Sequence, residues 1–199
     1  VRSALERDYA LEPLDVLTPE TLAPLSRLIL AQPRALSAEE NVALDDWVRS
    51  GGQVIVFADP MLTRHSEYRL GDPRRPHDVA LLSPILARWG LELEFDSGQD
   101  EGERLVDAFG LTVPVRIAGT FRLREEGGEA DCTLSQSRLM ARCTIGQGRA
   151  LLVADAAVLD ESEPHDDGGE AEDHSGEDHS GEDRRDAALD GILNDAFGT

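Results

Sequence analysis

No lysine occurs in this chain; all 19 of its basic residues are arginine. That removes Schiff-base lysines, Walker lysines and Ser–Lys dyads as sources of chemistry. Neither Gly-x-Cys-x-Gly nor Gly-x-Ser-x-Gly occurs, so the sharp nucleophile turn of amidotransferases and esterases is missing. No Gly-rich loop opens a helix, and Gly51-Gly52 precedes a strand-like run instead, which is the wrong side for a phosphate cradle. No apolar run approaches the ~20 residues of a membrane-crossing helix. The chain opens Val1-Arg2-Ser3 without an initiator Met or a signal-peptide pattern. That opening fits a processed chain, and a membrane anchor preceding Val1 stays open. Base is also scarce relative to acid: 40 acidic residues give a formal charge of −21. A phosphate backbone needs a basic surface, so the expectation is no nucleic-acid partner.

What is present centres on residues 37–60, SAEENVALDDWVRSGGQVIVFADP. Ser37 and Glu40 are spaced as a capping box. Val42, Leu44, Trp47 and Val48 supply an apolar helix face, and Gly51-Gly52 stops the helix. Residues 54–58 then run apolar without alternation, as a strand covered on both faces does. Two further apolar runs, 28–31 and 150–154, read the same way. Strands alternating with helices imply parallel pairing through crossovers. A short strand is expected at 14–17, helices at 80–89 and 187–197, and a strand at 91–95. Between 112 and 145 the pattern changes to period two, with turn signals at Gly127-Gly128 and Ser137-Arg138, which predicts an antiparallel extension. A two-residue turn at Ser137-Arg138 pairs Leu134 with Ala141, Thr133 with Arg142, and Cys132 with Cys143.

Charge is uneven. Residues 160–183 hold twelve of the acids and no arginine, including a tandem Asp-His-Ser-Gly-Glu repeat. Such a stretch buries too little apolar surface to offset its ordering entropy. The expected organisation is one α/β domain, residues 1–159 and 186–199, interrupted by a disordered acidic insertion at 160–185.

The order of these pieces resembles a known family. Buried strand, Pro, capped helix, Trp-Val-x-x-Gly-Gly, buried strand and Asp-Pro, with the later Gly-Gln-Gly-Arg-Ala-Leu-Leu-Val-Ala-Asp, is similar to the auxiliary components of uncharacterised ABC-type transport systems, of the gliding-motility type. The resemblance implies a three-layer α/β/α, flavodoxin-like fold of the class I glutamine amidotransferase-like kind, here with the antiparallel hairpin added. It also implies an extracytoplasmic location, hence an oxidising one in which Cys132 and Cys143 are joined, and partners among the subunits of a membrane transport complex.

The residues offer three chemistries. Asp59 and Asp155 each follow a buried strand; if those strands are neighbours, the carboxylates converge, and with His65 or His77 they can hold a divalent metal. As single residues they serve equally as caps or turn formers, which is the reading favoured here. Arg64 and Arg69 lie in the long loop 59–78, which leaves a strand's carboxyl end, where open α/β sheets bind ligands. His165, His174 and His179 stand among carboxylates, a composition that binds divalent metal weakly. No cofactor is expected. The leading expectation is a non-enzymatic accessory domain that binds a partner or ligand at the crevice of Asp59, Arg64, His65, Arg69, His77 and Asp155. The alternatives are a divergent metal-dependent hydrolase using Asp59 and Asp155, and a metal buffer acting through the His/Asp repeat.

Overall fold

The structure is a computed structural model that describes residues 5–6, 9–63, 66, 68–69, 72, 75, 77–160 and 178–198, the side chains of 178–180 and 182 excepted. Thr18 and Thr21 form a reciprocal cap on a one-turn helix, α1 (Pro19–Leu22), with Pro at its first position. Strand β1 (Arg27–Ala31) leads to α2 (Ala38–Arg49) and then β2 (Gln53–Phe57). The capping box is present: Ser37 Oγ accepts from the Glu40 N–H and the Glu40 carboxylate accepts from the Ser37 N–H. Glu40 is held further by Arg34 at 2.6 and 2.7 Å, which brings its carboxyl down to about 2. After the long loop come α3 (Ser83–Arg88), β3 (Leu91–Glu94), β4 (Arg104–Ala108), β5 (Leu111–Val115), β6 (Thr120–Leu123), β7 (Asp131–Leu134), β8 (Met140–Ile145) and β9 (Gly148–Val153). A 3₁₀ turn (Ala157–Leu159) and the long helix α4 (Asp178–Phe197) close the chain.

The main sheet has the order β1-β2-β9-β8-β7. β1, β2 and β9 are parallel, in a register that aligns Leu28, Val54 and Ala150. The three apolar runs are therefore the parallel strands expected from their lack of alternation. β8 and β7 extend the sheet antiparallel. Two small antiparallel pairs, β3-β6 and β4-β5, stand apart from it. α2 packs on β9 so closely that a Cβ on Gly148 would lie 2.0 Å from the Val48 carbonyl oxygen. α4 lays Leu189, Ile192, Leu193 and Phe197 on β2, β9 and β5.

Cys132 lies opposite Cys143, and the two sulfurs are bonded. The register is the one the alternation predicts, because apolar residues on every second position can face the core in only one alignment. The turn itself differs. Arg138 N–H donates to the Ser135 carbonyl and Ser135 N–H to the Met140 carbonyl, so the loop is longer than two residues, with Arg138 at φ 59° supplying the left-handed step. Closing this short loop restrains the unfolded chain. Replacing both cysteines by serine is expected to lower stability by up to about 3 kcal/mol, measured by urea unfolding; an unchanged midpoint would show that the bond contributes nothing.

Four local readings are corrected. Residues 14–17 form no strand; the Leu17 N–H is instead bound by the Glu40 side chain. Val42 is 60% exposed and does not belong to the buried face of α2. β3, expected as part of the parallel alternation, pairs antiparallel with β6. α4 begins at Asp178, within the acidic segment, rather than at Ala187. β4 was not apparent because its Leu105 faces solvent, which blurs the alternation.

Candidate functional site

The candidate site is built where two parallel neighbours end. β2 runs out at Phe57-Ala58 into Asp59, and β9 at Val153-Ala154 into Asp155. Because β2 and β9 are adjacent and in register, Phe57 beside Val153, the two aspartates emerge side by side. Both are almost completely buried, at 2% and 1% exposure. Main-chain amides meet them. Asp59 Oδ1 accepts from Met61 N–H at 2.8 Å, and its carboxyl also accepts from Ala156 N–H. Asp155 Oδ1 accepts from Ala157 N–H at 2.6 Å and Oδ2 from Arg116 N–H at 3.0 Å.

These amides are too few to offset burial. Loss of water pushes the Asp59 carboxyl up to about 6, aided by the charge of Asp160. Burial and the adjacent Asp59 charge push Asp155 up to about 8, against the amides of Ala157 and Arg116. Two carboxyls so placed do not both ionise near neutrality, and the pair titrates as a unit that retains a proton.

Gln32 fixes the position of Asp59. It follows β1 in a left-handed conformation, φ 47°, with its side chain buried. Its amide oxygen accepts from Asp59 N–H at 2.9 Å, and its amide nitrogen donates to the carbonyls of Asp59 at 3.0 Å and His77 at 2.9 Å. One side chain thereby ties β1, the end of β2 and the far end of the long loop. Ala80 N–H donates to the Asp59 carbonyl and Leu62 N–H to that of Asp78, so the loop's two ends run together at the rim. Met61, Val79 and Leu81 are exposed there.

The structure thus brings Asp59 and Asp155 together, as adjacency of their strands requires. The His77 carbonyl accepts from Gln32, not from either aspartate, and the His77 side chain is exposed. Arg69 is exposed, and its carbonyl accepts from Asp72 N–H. Arg64, His65, His165 and His174 lie outside the described residues; His179 lies in α4, and its side chain is outside them too. Among the described residues no group of three His, Cys, Asp or Glu side chains is arranged to hold a metal ion. Gln32, Arg116 and Asp160 escape a reading of the sequence. The only local trace of Gln32's role is its place at the end of a buried strand, directly before a proline.

Among the described residues, no helix is long and apolar enough to cross a membrane. No curated protein matches the chain. Among solved structures, Gan42B, a GH42 beta-galactosidase from G. stearothermophilus, is similar at 18% identity and a TM-score of 0.47, over 77% of this chain and 22% of its own. The exo-beta-1,4-mannosidase Op5Man5 from Opitutaceae bacterium strain TAV5 aligns at 16% identity and TM-score 0.43, over 73% of this chain and 22% of its own. The cytoplasmic protein STM1381 from Salmonella typhimurium LT2 aligns at 10% identity and TM-score 0.47, over 77% and 74%. The chain spans about a fifth of the length of the two glycosidases, and likeness at this level carries no inference about activity. The family comparison is of another kind: the model of the ABC-type uncharacterized transport system family matches residues 1–106. That is more than half of a 199-residue chain, and the protein belongs to that family.

Proposed function

We propose that this protein is a non-enzymatic, extracytoplasmic accessory domain of an ABC-type transport system, docking a transporter subunit or its ligand at the rim of the Asp59–Asp155 crevice. Family membership carries the reading. Two observations support it. The cysteine pair is bonded, which suits an oxidising compartment. The crevice carboxylates are engaged by main-chain amides, as caps that shape loops are, rather than left free for a reacting group. We read the parallel β1-β2-β9 core, with α2 crossing between its first two strands, as amidotransferase-like and flavodoxin-like. Its β2 runs into Asp59-Pro60 where a nucleophile would stand. The same engagement of Asp59 and Asp155 weighs against the hydrolase alternative; the His/Asp repeat behind the metal-buffer alternative lies almost wholly outside the described residues.

The test is co-expression with the membrane subunits of an ABC-type transporter from the same organism, followed by quantitative co-purification from detergent. Stoichiometric recovery that falls when exposed Met61 and Leu81 are replaced by serine is the expected result. Absence of association would remove the accessory reading. Turnover of glutamine, ester or phosphoester substrates, abolished by Asp59→Ala, would replace it with an enzymatic one.

A further inference from the structure

A second cleft lies at the opposite end of the sheet, beside the amino-terminal end of β9. It encloses about 410 Å³ between the open end of the β7-β8-β9 face, the last turn of α4 and the β4-β5 turn. A cleft of this size suits a small ligand. The register sets its floor. Gln53, Arg149, Thr144 and Asp131 lie side by side on β2, β9, β8 and β7 and project from one face. Arg142 forms the wall: its guanidinium stacks 3.9 Å from the centre of the Phe109 ring and pairs with Asp195 of α4 at 2.8 and 2.9 Å.

Arg142 and Asp195 neutralise each other. Arg149 and Asp131 do not; neither has an ion-pair partner among the described residues, and Thr144 stands between them. Arg149 is nevertheless held in place. With the Gln53 amide oxygen turned toward it, that oxygen accepts from Arg149 Nη2 at 2.8 Å and Nε at 3.3 Å. A neutral side chain thus orients the guanidinium, which has no ion-pair partner among the described residues. These two charges, unpaired among the described residues, are of opposite sign, one cleft shares them, and two strand spacings, ~9–10 Å, separate their Cα atoms. A simple anion satisfies one and is repelled by the other. A molecule with a carboxylate at one end and an ammonium at the other satisfies both.

We propose that this cleft binds a zwitterionic short peptide, with Arg149 receiving its carboxylate and Asp131 its ammonium group. The site is separate from the Asp59–Asp155 crevice and stands whether or not a transporter subunit docks there.

The probe is triglycine, compared with its N-acetylated and C-amidated forms, in NMR titrations that follow the backbone amides of Thr133, Thr144 and Ala150. Free triglycine is expected to shift these amides saturably, and each blocked peptide to bind roughly tenfold more weakly, since each loses one charged contact. Arg149→Gln should erase the preference for triglycine over its amide. Asp131→Asn, on an exposed edge strand, should erase the preference over the acetylated form, and Arg149→Lys should retain the first preference. The proposal is overturned if triglycine gives no saturable shift at these amides, if the blocked peptides bind as well as the free one, or if Arg149→Gln and Asp131→Asn leave both preferences intact. The blocked peptides put the question to the unaltered protein, so the answer does not depend on every variant folding.

Discussion

Raising the pH from 5 to 8 is expected to destabilise this protein, with the cost centred on Asp155. In the unfolded chain an aspartate ionises near pH 4. In the folded protein, burial and the neighbouring Asp59 charge hold Asp155 up near 8, and burial holds Asp59 near 6. Between those limits the folded state binds protons that the unfolded state has released. Stability from these groups is therefore full below about pH 4 and falls as pH rises through the folded values, by about 1.4 kcal/mol per unit for each such group. From pH 5 to 8 the loss is roughly 3 kcal/mol or more, a Tm decrease of about 6–12 °C for a chain of this size. Other shifted carboxyls do not cancel it. Hydrogen bonds from Arg34 depress Glu40, and those from Arg49, Arg88 and Trp89 outweigh burial to depress Asp45, so both stay ionised across this window and matter only as pH falls below it. Asp155→Asn should flatten the profile between pH 5 and 8, and Asp59→Asn should move its midpoint down by removing the adjacent charge. Calorimetry at pH 5, 6.5 and 8 checks this; a Tm that rises across that range would show that both carboxyls are ionised in the folded protein.

Asp45→Ala is the second change with a large expected cost. Asp45, on α2, is 1% exposed. Its Oδ1 accepts from the Trp89 indole N–H at 2.9 Å, and its Oδ2 from Arg49 Nε at 2.8 Å and Arg88 Nε at 2.5 Å. Glu129 closes the group by pairing with both arginines at 3.1 Å. One carboxylate thus fastens α2 to α3 and to the fully buried Trp89. Removing it strands the indole donor in the core, whereas Arg49 and Arg88, 26% and 46% exposed, recover water. The cost is accordingly set at about 2–3 kcal/mol, below that of breaking a fully buried pair. Tm should fall by roughly 4–12 °C. Asp45→Asn, which retains an oxygen for Trp89, should lose less than Asp45→Ala. Equal losses would place the stabilisation in the arginine pairs instead.

Much of this protein was legible in one dimension because its determinants are local. Ser37 and Glu40 sit three residues apart, within reach of each other's main chain, so the start of α2 is written in the sequence. The runs at 54–58 and 150–154 lack polar positions because both of their faces are covered, and that marks them as interior strands; the run at 28–31 is as apolar, yet β1 is the edge of the sheet with Ala31 exposed, which its sequence does not reveal. The 132–143 hairpin is legible for a related reason: a period of two admits one register, and that register sets Cys132 against Cys143. The sequence also shows directly that these 199 residues carry no lysine and no Gly-x-Cys-x-Gly or Gly-x-Ser-x-Gly turn.

Tertiary structure alone decided the rest. Asp59 and Asp155 are 96 positions apart in the numbering. They lie side by side only because β9 returns to pair with β2, and burial there, not residue type, is what makes them hold a proton. Asp45 reads as a surface residue beside Asp46 until α3 brings Arg88 and Trp89 over it. Gln32 is an unremarkable polar residue until β1 lies beside β2 and places its amide against the Asp59 backbone. Arg149 and Asp131 face one cleft only through the strand order β9-β8-β7. In each case the deciding energy is electrostatic or a hydrogen bond between groups remote in sequence. Such terms depend on the distance and the loss of water that packing imposes, and neither is encoded at any single position of the chain.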